Sequence, residues 1–261
     1  MIPLWIQIVL PFLLSASVVV GISIIAEKFG TKIGGIIGTL PSTIIVAYVF
    51  ISLNQGEDFA ARSASVVPAE MGVNILFLFI FSVLADRRVT TTVVASLGLW
   101  SVLSLALYLT SMNNIFISTA IFFAAFIVSL IILEKKVKVK SVGKVEVEYT
   151  LKKIMFRGVL AGIVISISVL LSNVGSVLSG IFSVFPAIFL STMLIFTREH
   201  GPRFVGGTAK SMIFGTPSVV SYSVGIALLF PVLGMIWGSV ASFMIALTVT
   251  LTLLKFRIKL A

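Results

Sequence analysis

Long apolar segments separated by short polar ones dominate the chain. Each holds about 20 residues, the length that an α-helix needs to cross the hydrocarbon core of a bilayer. Helices satisfy their own backbone hydrogen bonds in lipid, so the pattern predicts membrane-spanning helices. Glycine, asparagine and charged residues mark the ends of the segments. The predicted spans are 2–24, 33–53, 64–84, 89–110, 115–133, 154–173, 179–197, 209–229 and 232–254.

One long hydrophilic stretch, residues 134–153, interrupts this pattern. Within it, segments 137–140 and 145–148 alternate valine with lysine and valine with glutamate, on either side of Gly143. Alternation around a glycine-containing turn is typical of a β-hairpin, and the basic and acidic arms could pair. A solvated charged linker is the other interpretation, because an isolated hairpin is only marginally stable.

The charged residues are few and unevenly distributed. Charged residues make up 11% and hydrophobic residues 59% of the 261 residues, whereas roughly a quarter of a soluble domain is charged. If the nine predicted spans alternate in direction, one side of the membrane receives a single basic residue, Arg62. The other side receives Lys28, Lys32, Arg87, Arg88, Lys135, Lys136, Lys138, Lys140, Lys144, Lys152, Lys153, Arg157, Arg198, Arg203, Lys255, Arg257 and Lys259.

This asymmetry predicts the orientation and the location of the protein. Lysine and arginine are enriched in cytoplasmic loops, so the N-terminus is expected outside and the C-terminus in the cytoplasm, in the cell membrane. Anionic headgroups of the cytoplasmic leaflet account for the net charge of +10. The expected partners are therefore the lipid bilayer and a small-molecule or ion substrate, with no nucleic acid. A homodimer is left open.

Chemistry that needs cysteine or clustered acids is not expected. The chain has no cysteine and a single histidine, His200, in a predicted cytoplasmic loop. No two carboxylates share a predicted span. A membrane hydrolase needs a nucleophile with a base or a metal cluster, so we expect no enzyme, no metal and no cofactor.

The chain resembles itself when it is shifted by 145 residues. Matching glycines and a proline are harder to attribute to chance than matching leucines, and the shift therefore predicts a duplication. The units would be residues 1–110 and 154–261, joined by a linking helix and a hydrophilic loop at 111–153. The matched pairs are Gly30 with Gly175, Gly35 with Gly180, Ile36 with Ile181, Pro41 with Pro186, Gly56 with Gly201, Phe59 with Phe204 and Ala64 with Ala209.

Four spans followed by one linking span would place the second unit upside down. The predicted fold is therefore an all-α membrane protein of about nine helices, built from two inverted four-helix repeats. Inverted repeats recur in secondary transporters. Fused dual-topology channels share this plan, so the architecture alone does not separate a carrier from a pore.

The second half resembles the GlpM-like small membrane proteins. The resemblance lies in Phe185-Pro186 within 180–191, and in Ile213-Phe214-Gly215 followed by Ser218 and Tyr222. It implies that a four-helix unit is viable by itself, as a dual-topology dimer, and it implies no substrate. The four-plus-four plan is similar in layout to transporters of the drug/metabolite type.

Candidate site residues cluster around paired prolines. Pro41 and Pro186 interrupt corresponding spans, and such interruptions point to a site near the bilayer midplane. Glu70 is the one carboxylate predicted inside a span. It could bind a cation or a proton, or lie near the headgroups if its span starts later. The predicted substrate-binding residues are Thr39, Pro41, Ser42, Thr43, Glu70, Asn74, Ser183, Pro186, Lys210, Ser218 and Tyr222.

Most of these residues also have an ordinary structural interpretation. Hydroxyl groups hydrogen-bond between packed membrane helices, and Lys210 could extend its amine to the inner interface. Taken together, the sequence predicts a small-solute permease with its site between spans two, three, seven and eight. The alternatives are a passive channel of the same architecture and, with less support, a membrane enzyme acting on lipid.

Overall fold

The computed structural model describes residues 2–37, 40–135 and 150–259, and these form a bundle of α-helices. The predicted hairpin at 137–148 lies outside the described residues. Helix α11 contains one residue with non-helical backbone angles, Gly234, and its two parts are called α11a (217–233) and α11b (235–259). The helices are α1 Leu4–Ile37, α2 Ser42–Gln55, α3 Glu57–Ala64, α4 Val67–Val83, α5 Val89–Leu109, α6 Ile115–Lys135, α7 Leu151–Leu171, α8 Ser176–Ser183, α9 Ala187–Glu199, α10 Pro202–Gly215 and α11 Pro217–Lys259.

The described residues include seven segments that are long and apolar enough to cross a membrane. Predicted spans eight and nine fall in one of these, the 52-residue stretch Phe204–Lys255, and α2 is a shorter apolar helix. Length and composition thus indicate a multi-pass membrane protein. The segments are Leu4–Ile24, Glu57–Val83, Val89–Leu109, Ile115–Lys135, Leu151–Leu171, Ser176–Glu199 and Phe204–Lys255.

Four turn residues recur in matching conformations 145 residues apart. Pro41 and Pro186 precede α2 and α9 with φ and ψ of −74° and 48°, and −73° and 38°. Gly56 and Gly201 precede α3 and α10 with φ of 89° and 77°. Glycine adopts positive φ without the steric penalty of a side chain. Proline lacks the N–H that a preceding turn would use, so a helix readily begins beside it.

Helices α1 and α7 pack closely and run antiparallel. The amide of Asn173, after the end of α7, donates to Gln7 near the start of α1, and the Ser166 hydroxyl donates to the Ile8 carbonyl at 2.8 Å. Further along the pair, Gly162 lies against Phe12, where a Cβ would be 2.8 Å from the Phe12 carbonyl oxygen. The glycine therefore permits the close approach of the two backbones.

Side-chain contacts define two opposite ends of the bundle. The amide end holds the side chains of Gln7, Asn54 and Asn173. The basic end holds two ion pairs, Lys153 with Glu199 and Lys210 with Glu134. Lys153 lies near the start of α7 and Asn173 just after its end, so these ends are separated by about the length of that helix.

A close contact between α8 and α3 supports the core. A Cβ at Gly180 would overlap the carbonyl oxygen of Ser63. We expect Gly180→Ala to lower the midpoint of thermal unfolding, because overpacking a filled site costs about 1–3 kcal/mol. The matched control is Gly98→Ala on α5, where a Cβ meets nothing within 4 Å and alanine is the better helix former. Equal midpoints for the two variants would contradict this packing.

Candidate functional site

A cavity of about 60 Å³ lies between the two proline turns. This volume holds a few water molecules or a small solute. Residues of both turns line the cavity, and residues of α4, α7 and α11a form the rest of the lining. The lining residues are Leu40, Pro41, Thr43, Ile44, Met71, Ala161, Val164, Ile165, Ser183, Val184, Phe185, Pro186, Ala187, Ile188, Phe189 and Val219.

The lining is apolar apart from a few hydrogen-bonding groups. Thr43 and Ser183 contribute hydroxyls, and none of the described lining residues carries a charge. Helices α2 and α9 both start at this cavity without a side-chain cap. The first N–H groups of a helix have no intrahelical partner and carry partial positive charge. At these starts the Ser42 and Ala187 N–H groups donate to the Leu40 and Phe185 carbonyls, so the backbone donors without an intrahelical partner are those of the next residues. The Ser183 hydroxyl donates to the Gly180 carbonyl, so its oxygen is the part that can accept from a solute.

The structure brings some of the predicted site residues together at this cavity. Pro41, Thr43, Ser183 and Pro186 line it directly. Ser42 starts α2 beside them but is not part of the lining. Thr39 lies outside the described residues.

Three other predicted residues lie elsewhere and bond to other groups. The Ser218 hydroxyl lies 2.6 Å from that of Thr250, and the Tyr222 hydroxyl lies 2.8 Å from that of Ser239. Both contacts join α11a to α11b. Lys210 donates to Glu134 at 3.4 Å, at the basic end.

Glu70 is fully buried in the protein on α4. Its Oε1 accepts a hydrogen bond of 2.8 Å from Ser104 of α5, and the Trp100 indole lies beside the same carboxyl. The Glu70 Oε2 and the Trp100 Nε1 atoms are both buried without a hydrogen-bond partner. Glu70 therefore sits behind the cavity wall, against α5, rather than in the lining.

Asn74 connects α4 to the second proline turn. Its Nδ2 donates to the Val184 carbonyl at 2.7 Å, while its Oδ1 is buried without a partner. Val184 follows the last residue of α8, where a regular helix would continue and satisfy this carbonyl itself. The Asn74 amide thus replaces a backbone donor that the turn has removed.

Sequence reasoning missed the polar face of α5. Trp100 and Ser104 face Glu70, and Thr92 and Ser96 continue the same buried stripe. Residues four apart share one face of a helix, so the spacing at 92, 96, 100 and 104 was an available signal. The Trp100 ring also packs edge-on against Phe185, with 4.8 Å between ring centroids.

The amide end is closed by a connected hydrogen-bond network that the sequence did not predict. Asn54 of α2 donates to Ser172 at 3.0 Å and to Asn173 at 2.9 Å. Its Oδ1 accepts from Gln7 at 3.1 Å and from the Ile2 backbone at 3.2 Å. The network holds together the start of α1 and the ends of α2 and α7.

At the basic end, the corresponding helices are joined by charges. Lys153 near the start of α7 pairs with Glu199 at the end of α9. Glu199 lies 145 residues after Asn54, and Lys152, next to Lys153, lies 145 residues after Gln7. The counterparts of Gln7 and Asn54 in the second half are thus Lys152, next to the Lys153–Glu199 ion pair, and Glu199, a member of that pair.

Residues 8–113 match the model of a family described as "Protein of unknown function (DUF3147)". The match runs from within α1 through α5 and ends before α6. No curated protein matches the chain. No solved structure matches it either. The matched family carries no GlpM name, and the resemblance to GlpM-like proteins lies in the other half, so that resemblance stays a prediction.

Proposed function

We propose that the protein is a small-solute permease of the cell membrane, built from two inverted four-helix units of nine spans in total. The first unit is residues 1–110 and the second is 154–261, with α6 as the linking helix. The solute binds in the cavity between the Pro41 and Pro186 turns. The basic end faces the cytoplasm. We propose no enzymatic activity and no cofactor for this protein.

The observation that carries this proposal is the meeting of both proline turns at one cavity. Residues 145 apart in sequence come together there in nearly the same backbone conformation. Inverted-repeat transporters place discontinuous helices from both repeats around a midplane site. The antiparallel packing of α1 against its counterpart α7 supports the inversion. The family match, residues 8–113, ends three residues beyond the first unit.

The two ends of the bundle supply the closures that alternating access requires. The amide network closes one end, and the Lys153–Glu199 pair joins α7 to α9 at the other. In a carrier, one closure opens while the other holds. The Thr43 hydroxyl and the Ser183 oxygen, whose hydrogen is donated to the Gly180 carbonyl, orient the solute. The N–H groups that follow the first residue of α2 and α9 donate to its acceptor atoms.

The absence of cysteine from the sequence makes this proposal directly testable. In proteoliposomes, Ser183→Cys should react with a membrane-impermeant methanethiosulfonate reagent added from either side, because the cavity opens alternately. Val102→Cys, on the lipid-facing side of α5, is the matched control and should stay unlabelled. A Ser183→Cys protein that reacts from neither side would rule out a solute pathway through this cavity.

Transport kinetics separate a carrier from the channel alternative. Uptake of glycerol and urea into the same proteoliposomes would be followed by light scattering. A carrier saturates as solute concentration rises, whereas flux through a passive pore increases in proportion to it. Flux that rises linearly with solute concentration would indicate that the same cavity is a passive channel.

A further inference from the structure

We propose that Glu70, Trp100, Ser104 and Asn74 form a proton-binding site, and that its occupancy sets the geometry of the turn Val184–Pro186. The ligand is a proton taken from water onto the Glu70 carboxylate, with no other bond made or broken. The inference rests on the proposed function in one respect, namely that the turn Val184–Pro186 borders the solute cavity.

The first step of the argument is that the site holds complementary polar atoms without partners. Glu70 Oε2, Asn74 Oδ1 and Trp100 Nε1 are all buried and unbonded. Leaving a buried polar group unsatisfied is costly, and native proteins leave few of them. Such a cluster on adjoining helix faces indicates a site that changes its hydrogen bonding.

Two protonation states satisfy different members of this cluster. Glu70 and Asn74 are four residues apart on α4 and share a face. A protonated Glu70 is a donor, and the Asn74 Oδ1 is an unpaired acceptor within one helical turn. An ionised Glu70 has acceptors only, and the Trp100 indole is a donor only. An ionised Glu70 can therefore accept at Oε2 from the Trp100 indole of α5, whereas a protonated Glu70 can donate from Oε2 to the Asn74 Oδ1.

Both alternatives lead to the second proline turn. Asn74 holds the Val184 carbonyl through its Nδ2, and Trp100 packs its ring against Phe185. Val184 and Phe185 line the cavity. A shift of Asn74 or Trp100 therefore displaces the cavity wall, although Glu70 itself is not in that wall.

A proton fits this site better than a metal ion does. Trp100 presents an N–H donor beside the carboxylate, which a cation cannot use. The described residues contain no group of three His, Cys, Asp or Glu side chains that could hold a metal. Glu70 is the single carboxylate at this location, whereas calcium and magnesium sites gather several oxygen ligands.

The side chains that interact with Glu70 carry no charge. Its own interacting side chains are Ser104 and Trp100. Helix α8 has no titratable residue, and α5 has Tyr108, which is 41% exposed. The remaining titratable groups of the packed helices are Glu57, Asp58 and Arg62 on α3, Glu134 and Lys135 on α6, Arg203 and Lys210 on α10, and Tyr222, Lys255, Arg257 and Lys259 on α11.

Trp100 itself provides a reporter that needs no transported solute. The chain has three tryptophans, and Trp5 and Trp237 are 62% and 69% exposed, so both can be replaced by phenylalanine with little effect on packing. In that background we expect the Trp100 emission to change with pH in a single step. Glu70→Gln should abolish the step, whereas Asp58→Asn, which removes an exposed carboxylate, should retain it.

Further variants and conditions keep the test decisive. If Glu70→Gln fails to fold, Ser104→Ala should move the midpoint of the step, because it removes the bond to Oε1. Emission that is flat across pH in the parent background would overturn the proposal. A change in Trp100 emission when sodium replaces choline at constant pH would also overturn the proposal, because the ligand of Glu70 would then be a metal cation.

The link to the turn has its own readout. Ser183→Cys would be labelled both in the otherwise unchanged protein and in the Glu70→Gln background. The ratio of the two labelling rates should depend on pH. Asn74→Leu should remove that dependence while the Trp100 step persists. If the dependence survives in Asn74→Leu, Asn74 is not the connection. Absence of any solute flux would defeat the permease but would leave the Trp100 titration standing.

Discussion

Reporters fused after Ala261 should show that this position lies in the cytoplasm. Reporters inserted at Asn113 should show that this position lies on the opposite side of the membrane. The physical reason is the retention of lysine and arginine loops on the cytoplasmic side during insertion. The structure places Asn113 between α5 and α6, one helix length away from Arg87 and Arg88, which precede α5. Green fluorescent protein and alkaline phosphatase fusions would report the two sides as opposite signals.

The control for this experiment is an insertion at Gly143, which should report the same side as Ala261. Replacing Arg87 and Arg88 together by glutamine should weaken the bias, because short loops near span ends dominate it. If reporters at Asn113 and Ala261 share one side, the number of spans between them is even. The nine-span arrangement and the inversion would then both be incorrect.

Asn54→Leu should destabilise the protein by about 2–4 kcal/mol. The substitution removes both donors and the acceptor that hold Ser172, Asn173 and Gln7. Each buried group left unsatisfied costs about 1–3 kcal/mol. Thermal unfolding in detergent, followed by intrinsic fluorescence, should show a clearly lower midpoint.

Gln55→Leu is the matched control for this variant. Gln55 donates one exposed hydrogen bond to Asn173, which keeps its bonds to Asn54 and Gln7. Its loss should therefore cost little. Loosening the amide end should also raise the labelling of Ser183→Cys from the outer side in the Asn54→Leu background. A midpoint equal to that of Gln55→Leu would show that the network contributes nothing to stability.

Hydropathy and proline spacing predicted the helical class and the location of the turns. A run of apolar residues fixes the presence of a helix in lipid, since no other local structure satisfies its backbone. The ends of helices were less accurate. Span three was predicted from residue 64, yet the helical path starts at Glu57. Two acidic residues in the first turn favour a helix start, although they lower the local hydropathy.

The direction in which polar side chains point was not predictable. Ser218 and Tyr222 share a face, but that face meets α11b rather than the cavity. In a soluble helix the apolar stripe identifies the buried side. In this chain most faces are apolar, so the stripe carries no such information. Glu70 was predicted inside a span, with a position near the headgroups as the alternative, while its partners Trp100 and Ser104 depend on how α5 packs against α4.

The two halves also differ where the sequence shift pairs them. Helix α1 continues for 34 residues through Gly30, whereas its counterpart stops at Leu171 and restarts as α8 after Gly175. A repeat in sequence therefore predicts which residues correspond, but not that both copies adopt the same conformation. Helix α6, which lies outside both repeats, packs against α4 of the first half far more extensively than against α10 or α11 of the second.

In the proposed permease, the two closures of the bundle differ in their sensitivity to the surrounding solution. Lys153 and Glu199 are 23% and 30% exposed, so dissolved ions can screen their attraction over the Debye length of about 8 Å at physiological salt. The neutral amides of Gln7, Asn54 and Asn173 have no net charge to screen. Rising ionic strength at the basic end would therefore loosen one closure and leave the other unchanged. The electrolyte on that side alone would set how readily the molecule changes its direction of access.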